Sequence, residues 1–118
     1  MTETTHDCIF CRIANGSLGA EFVAESEHAV AFRDLSPQAP THVLVVPRHH
    51  YAALRELNAA DPMLGAQLLT MAVQVAEKDG LFTTGYRVLT NDGPDAGQTV
   101  HHLHFHVLGG KRLREGLA

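Results

Sequence analysis

Three histidines in strict alternation stand near the C-terminus, in the run Val100-His101-His102-Leu103-His104-Phe105-His106-Val107-Leu108-Gly109-Gly110. A period of two is that of a β-strand. It puts His102, His104 and His106 on one face, and Leu103, Phe105 and Val107 on the other, toward a core. Burying three neighbouring imidazoles in a core would leave several ring nitrogens needing partners, and a merely solvated face would draw Thr, Lys or Glu more readily. The run therefore reads as a chemical site. A neutral imidazole near pH 7 can attack phosphorus and leave again, and neighbouring donors can fix its tautomer. His104, in the middle, has a neighbour on each side to help it. The loop before the run offers the backbone amides of Gly97, Gln98 and Thr99, the Thr99 hydroxyl and the Asn91 amide, all donors suited to a phosphate.

Cys8 and Cys11 form a Cys-x-x-Cys pair, a spacing shared by zinc knuckles, redox pairs and disulfides. A redox pair calls for a thioredoxin-like βαβ context, which the following residues do not supply. Metal is the better reading, and because zinc usually takes four ligands, two more must come from elsewhere in the chain.

The elements that must position these groups follow from the pattern around them. Residues 7–15 can make a short helix, with Asp7 as N-cap and Gly16 as its stop. Its Ile9, Phe10 and Ile13 share one side, facing either a core or a ligand pocket. Residues 21–24 and 28–32 read as a hairpin about a polar turn, and Asp34, in the proline-flanked loop that follows, is placed to accept hydrogen bonds from hydroxyls or to cap an Asx-type turn. Residues 42–46 are β-branched and apolar as far as Pro47, which marks a central strand buried on both faces. Asp61 and Pro62 open the main helix, expected over 62–79 with Gly80 at its end. Leu64, Leu68, Met71 and Val75 make one apolar stripe on it, and Leu69, Ala72, Val73 and Ala76 an adjoining one. So wide a face exceeds what one sheet needs to cover, which would leave residues such as Leu68, Met71 or Val75 toward solvent unless a second subunit covers them. Residues 86–90 are a further strand, expected at the sheet edge and available to pair with its own copy. Five strands and one dominant helix, without regular βα alternation, indicate an α+β domain with an antiparallel sheet.

With 118 residues, the chain fits a single domain, 1–118, built on one core. Hydrophobic residues at 45% and charged residues at 19% are those of an ordinary globular protein. No apolar run approaches the ~20 residues needed to cross a bilayer, and residues 1–7 show no secretory signal, so no membrane association and a cytoplasmic location are expected. A net charge of −4 argues against a nucleic-acid backbone as partner and leaves a small ligand open.

His102 to Leu108 match His-φ-His-φ-His-φ-φ (φ apolar) in full, and in this they resemble the histidine triad (HIT) proteins. The resemblance covers nearly the whole chain: FRDLSPQAPTHVLVVPRHH, GYRVLTNDG and GQTVHHLHFHVLGG look like the nucleotide-binding branch, close to its adenosine phosphoramidase members. It implies that His104 forms a nucleotidyl-imidazole intermediate, with His102 and His106 completing the catalytic set. His106, Asn91, Gln98 and Thr99 would hold the α-phosphate, Thr99 standing where Ser is usual. Asp34 would bind the ribose hydroxyls, and Ile9, Phe10, Ile13, Leu18, Phe32 and Leu35 would enclose a purine base. A subset beginning Cys-Ile-Phe-Cys binds a structural zinc, and by that resemblance the missing ligands are His50 and His102, with His49 and His101 as alternates. The implied activity is hydrolysis of a nucleoside 5′-monophosphate from an amine, phosphate or acyl group by a homodimer, with no metal needed for the chemistry. The alternatives are a dinucleoside polyphosphate hydrolase or nucleotidyl transferase using the same residues, and a non-catalytic purine-nucleotide binding or interaction module. Residues 111–118 lack the tryptophan-containing tail that phosphoramidase members often carry toward the partner subunit.

Overall fold

The computed structural model describes residues 8–116. In chain order it contains α1 (Ile9–Ala14), β1 (Ala24–Glu25), β2 (Ala29–Arg33), β3 (Thr41–Pro47), α2 (Leu54–Ala60), α3 (Pro62–Lys78), β4 (Tyr86–Leu89), a 3-10 turn (Pro94–Ala96) and β5 (Phe105–Gly109). The five strands form one sheet in the order β1-β2-β3-β5-β4, every pair antiparallel, so the expected α+β class holds.

Two-residue alternation divides the sheet between two layers. Ala29, Ala31, Val43, Val45, Phe105 and Val107 pack on the α3 side with Leu64, Leu68, Met71 and Val75. Val30, Phe32, Leu44 and Val46 pack on the other side with Cys8, Phe10, Cys11 and Ala14 of the α1 region. All seven residues of β3 are buried, as a central strand covered on both faces requires. Pro62 occupies the first turn of α3, where its missing N–H costs no hydrogen bond. Gly80, at φ +75°, reverses the chain just past the C-terminus of α3, and Leu81 N–H returns to the Ala76 carbonyl at 2.9 Å.

Several expectations are corrected. The α1 N-cap is Cys8, whose Sγ accepts from Cys11 N–H, rather than Asp7, which lies outside the described residues together with the rest of 1–7. β1 is only two residues long and starts where the strand over 21–24 was expected to end. Helix α2 was not expected, because Ala53 provides no side-chain cap of its own. Leu68, Met71 and Val75 do not face solvent but fill the core, while Leu69 (48% exposed) and Val73 (44%) lie outside.

The main correction concerns the histidine run. The ladder begins only at Phe105, so His102 and His104 precede the strand. Other partners hold that segment: Leu103 N–H donates to the Tyr51 carbonyl at 2.7 Å, and the Thr90 hydroxyl to the His104 carbonyl at 2.7 Å. The alternation survives without the ladder. Leu103 and Phe105 enter the α3 core, while the Phe10 ring of α1 meets His102 and His104 edge-on, at 6.0 and 5.0 Å between ring centres. His102 and His104 are buried rather than lining a surface ribbon.

Candidate active site and metal centre

Under α1, four side chains with ligand chemistry converge. Cys8 and Cys11 Sγ each lie 3.3 Å from His102 Nδ1, and Cys11 Sγ lies 3.2 Å from His50 Nδ1. The four ligand atoms fall within 4.8 Å of one another, and no disulfide joins the cysteines. A tetrahedral zinc with bonds of about 2.0–2.3 Å sets its ligands about 3.3–3.8 Å apart, so a Cys₂His₂ centre fits with little adjustment. The ring orientations agree with this. His102 donates Nε2–H to the Pro47 carbonyl at 2.9 Å, which leaves Nδ1 as a lone pair aimed at the thiols. His50 turns Nδ1 to Cys11 and leaves Nε2 buried without a partner, an arrangement that makes sense when Nδ1 is a ligand. Burial, foremost, drives the His102 pKa down to about 4, which keeps that lone pair unprotonated. Cys8, Cys11, His50 and His102 are thus positioned to bind a metal ion, and zinc suits this donor set. Neither alternate, His49 or His101, belongs to the cluster.

Beside this cage, His104 donates Nδ1–H to the backbone carbonyl of His102 at 2.8 Å. That bond selects one tautomer and leaves the Nε2 lone pair for chemistry. Burial is the chief reason that the His104 pKa falls below the ordinary histidine value, so the lone pair remains available at neutral pH.

A second group, Asp34, His42 and His106, also gathers three ligand-type atoms within 4.8 Å. Here the protons lie between the atoms. Gln38 N–H donates to His42 Nδ1 at 3.1 Å, which obliges His42 to carry its proton on Nε2 and to donate it to His106 Nδ1 at 2.9 Å. His106 must then hold its own proton on Nε2, as a neutral donor beside His104, the two rings being 5.0 Å apart. A metal here would need an imidazolate at His42, so the group is a hydrogen-bond relay. Burial, reinforced by His104 and His42, lowers the His106 pKa to about 4. His42 escaped the sequence reading, which took it for the start of a strand; its one available signal was a polar residue opening an otherwise apolar run.

These imidazoles open into a cleft of about 1030 Å³ lined by Ile9, Phe10, Ile13, Leu18, Phe32, Asp34, Leu35, Asn91, Gly97, Gln98, Thr99, His104 and His106 among others. The residues expected at the base and phosphate positions thus share one cavity. Phe10 and Phe32 meet edge to face inside it, while Leu35 (98% exposed) stands at its lip. Asp34 caps its own turn, accepting from Ser36 N–H at 2.8 Å through Oδ1, and brings Oδ2 within 3.5 Å of His42 Nε2. The loop differs from the expected set of donors. Gly97 and Gln98 turn their amides inward, to the carbonyls of Pro94 and Gly93. The Gln98 side chain accepts from Gly93 N–H at 2.9 Å and donates to the carbonyls of Ala52 and Val100, so it braces the loop. Asn91 and the Thr99 hydroxyl are left as the loop's side-chain donors toward the cavity. Asp92 ties the loop to α2, accepting from Arg55 N–H at 3.0 Å and from its guanidinium at 3.1 Å, and so acts as the cap that Ala53 lacks.

Fold and site together define an α+β domain with a histidine-lined cleft set against a Cys₂His₂ cage. The sequence matches the HIT domain family over residues 15–113, and the chain belongs to that family, the histidine triad proteins. An uncharacterized HIT-like protein of Synechococcus elongatus is 44% identical over 109 residues, covering 92% of this chain and 95% of the relative. The purine nucleoside phosphoramidase of Escherichia coli is 35% identical over 112 residues, 95% of this chain and 94% of its own. Among solved structures, a histidine triad protein from Clostridium difficile superposes with a TM-score of 0.90 at 40% identity, covering 98% of this chain and 99% of the other. A HIT family hydrolase from Legionella pneumophila gives 0.87 at 42%, covering 92% and 96%.

Proposed function

We propose that this protein is a purine-nucleotide hydrolase that splits a nucleoside 5′-monophosphate from an amine, phosphate or acyl leaving group through a nucleotidyl-His104 intermediate. The observation that carries the reading is the 2.8 Å bond from His104 Nδ1–H to the His102 carbonyl, which frees Nε2 inside the cleft. Nε2 attacks the α-phosphorus as the bond to the leaving group breaks. The leaving group departs with that electron pair and takes a proton from water in the open cleft, and the ring's positive charge rests against the His102 carbonyl. A second water then attacks phosphorus, gives up its proton to the solvent in turn, breaks the N–P bond to release the monophosphate and returns the electron pair to His104 Nε2, which restores the starting tautomer. His106 Nε2–H, Asn91 and the Thr99 hydroxyl steady the phosphate oxygens, Asp34 takes the ribose hydroxyls, and the apolar walls take the base. The likeness to the Escherichia coli phosphoramidase supports an amine leaving group. Zinc, bound by Cys8, Cys11, His50 and His102, would supply structure rather than chemistry.

A leaving-group panel tests this. Adenosine phosphoramidates should turn over faster than diadenosine polyphosphates or nucleoside-diphosphate sugars. A preference for either of the latter would make the protein a polyphosphate hydrolase or a transferase, and no turnover of any would make it a binding module.

The working unit under this reading is a cytoplasmic, twofold homodimer. Its supports are the exposed Leu69 and Val73 on α3, the stacked and exposed Phe82 and Tyr86, and the place of β4 at the sheet edge. Light scattering should give about twice the 12.8 kDa of one chain, and Val73→Asp should return it toward a single chain. No helix among the described residues is long and apolar enough to cross a membrane.

A further inference from the structure

We propose that Asp79 is a positioning residue for the nucleotide cleft: from the opposite face of the sheet its carboxylate ties together the chain just before Asp34 and just before His42, and so sets how strongly the cleft prefers a ribonucleotide to one without ribose hydroxyls. The inference rests on the reading of Asp34 as the ribose acceptor and adds to that site a residue remote from substrate.

A carboxylate has no local reason to stand where Asp79 does. It is the C-cap of α3, at the negative end of the helix dipole, where an anion is disfavoured and a cation such as Lys78 is suited. Its partners come from the sheet instead. The Arg33 guanidinium at the end of β2 donates to both oxygens, at 2.9 and 3.0 Å, and the buried Thr41 hydroxyl at the start of β3 donates to Oδ2 at 2.8 Å. The forked bond from Arg33, foremost, holds the Asp79 carboxyl below the ordinary carboxylate range. Strand parity gives this clamp its reach. Ala31 and Val43 pack on the α3 side, so Arg33 and Thr41, each two residues along its strand, point that way too. The residues that follow them, Asp34 and His42, line the cleft, which Asp79 and Thr41 do not. One carboxylate thus closes the base of the 34–40 loop from behind. On the cleft side the same base is held by Asp34 N–H to the His42 carbonyl at 2.9 Å and by Gln38 N–H to His42 Nδ1 at 3.1 Å. With the clamp broken, the loop gains freedom where Asp34 must meet the ribose hydroxyls at hydrogen-bond distance. The donors proposed for the phosphate, Asn91 and Thr99, lie on another segment, so the loss falls on the ribose.

Calorimetry on the full chain with AMP and 2′,3′-dideoxy-AMP tests this. The native protein should prefer AMP by about tenfold or more, the scale of hydrogen bonds to a charged acceptor. Asp79→Asn should cut that preference at least about threefold while leaving affinity for the dideoxy nucleotide within about twofold. Thr41→Val keeps the Arg33 pair and the net charge, and it should move the preference in the same direction. It also carries the test where circular dichroism shows that Asp79→Asn does not fold. A merely structural clamp would lower Tm and weaken both nucleotides alike; that result, or an unchanged preference in the folded variants, overturns the inference. Asp34→Asn separates it from the reading beneath it. A preference lost in Asp34→Asn but kept in folded Asp79→Asn and Thr41→Val leaves the ribose reading standing and rejects the clamp. A preference kept in Asp34→Asn but lost in the other two rejects Asp34 as the ribose acceptor and leaves the clamp standing. Equal native affinity for the two nucleotides rejects both.

Discussion

Two clusters stand on either side of His104, each bringing histidine together with acidic or thiol groups within 4.8 Å, and they do opposite things. Around Cys8, Cys11, His50 and His102 the lone pairs point inward, while the His102 Nε2–H leaves for the Pro47 carbonyl. Around Asp34, His42 and His106 an N–H lies on each short line, from Gln38 to His42 and from His42 to His106. The first arrangement is positioned to bind a metal ion and the second makes a chain of fixed tautomers. The histidines by themselves do not separate them, since each cluster uses two. What separates them is where a single backbone group, the Pro47 carbonyl in one case and the Gln38 amide in the other, places the imidazole proton.

The sharpest way to break this contrast is at His104, the proposed nucleophile between the clusters. His104→Ala should lower kcat by about three decades or more while leaving AMP affinity within a few-fold, measured by turnover and calorimetry. Next comes the cage. Cys8→Ala with Cys11→Ala should reduce zinc from about one per chain to none and lower Tm by roughly 10 °C, since metal binding is coupled to folding. Two zincs per native chain would mean that the relay also binds metal, contrary to the proton positions. His42→Ala should cost a smaller amount, about 10- to 100-fold in kcat, because His106 loses the donor that orients it, and should leave the zinc content unchanged.

The pH response refines the relay. His106 should titrate near pH 4 by NMR, well below an ordinary histidine, because burial and its two histidine neighbours oppose its charge. With the folded pKa below the unfolded one, the unfolded chain binds more protons between those values. The contribution of His106 to stability is therefore intact above about pH 6.5 and declines as pH falls toward 4. A titration midpoint near 6.5 would remove this contribution. The smallest expected effect is that of Asp92→Ala, which removes the remote cap of α2 and one tie of the 91–99 loop proposed to hold the phosphate. About 1 kcal/mol of stability and a few-fold in nucleotide affinity should be lost, by denaturation and calorimetry.

Local patterning was enough to establish some features from the chain alone. The alternation of His102, His104 and His106 with Leu103, Phe105 and Val107 decided which side chains enter the α3 core, because side-chain direction in extended backbone depends only on parity. Pro62 and Gly80 marked the ends of α3, and the β-branched run after His42 marked the central strand, since backbone freedom and burial are local in their demands. The match to the histidine triad pattern added the companions of Cys8 and Cys11, which no spacing rule could supply across 39 and 91 residues.

Tertiary structure decided the rest wherever a hydrogen bond joins distant segments. The role of His42 depends on Gln38 and His106, and that of Asp92 on Arg55, neither of which leaves a periodic trace. The inward turn of the Gly97 and Gln98 amides depends on loop closure around Gly97, at φ +83°. Which stripe of α3 faces out depended on how far the sheet reaches beneath it, so Leu69 and Val73 rather than Met71 and Val75 remain exposed. Above all, the place of each imidazole proton is a property of folded geometry, because either ring nitrogen can hold it until a carbonyl or an amide from elsewhere in the chain makes the choice.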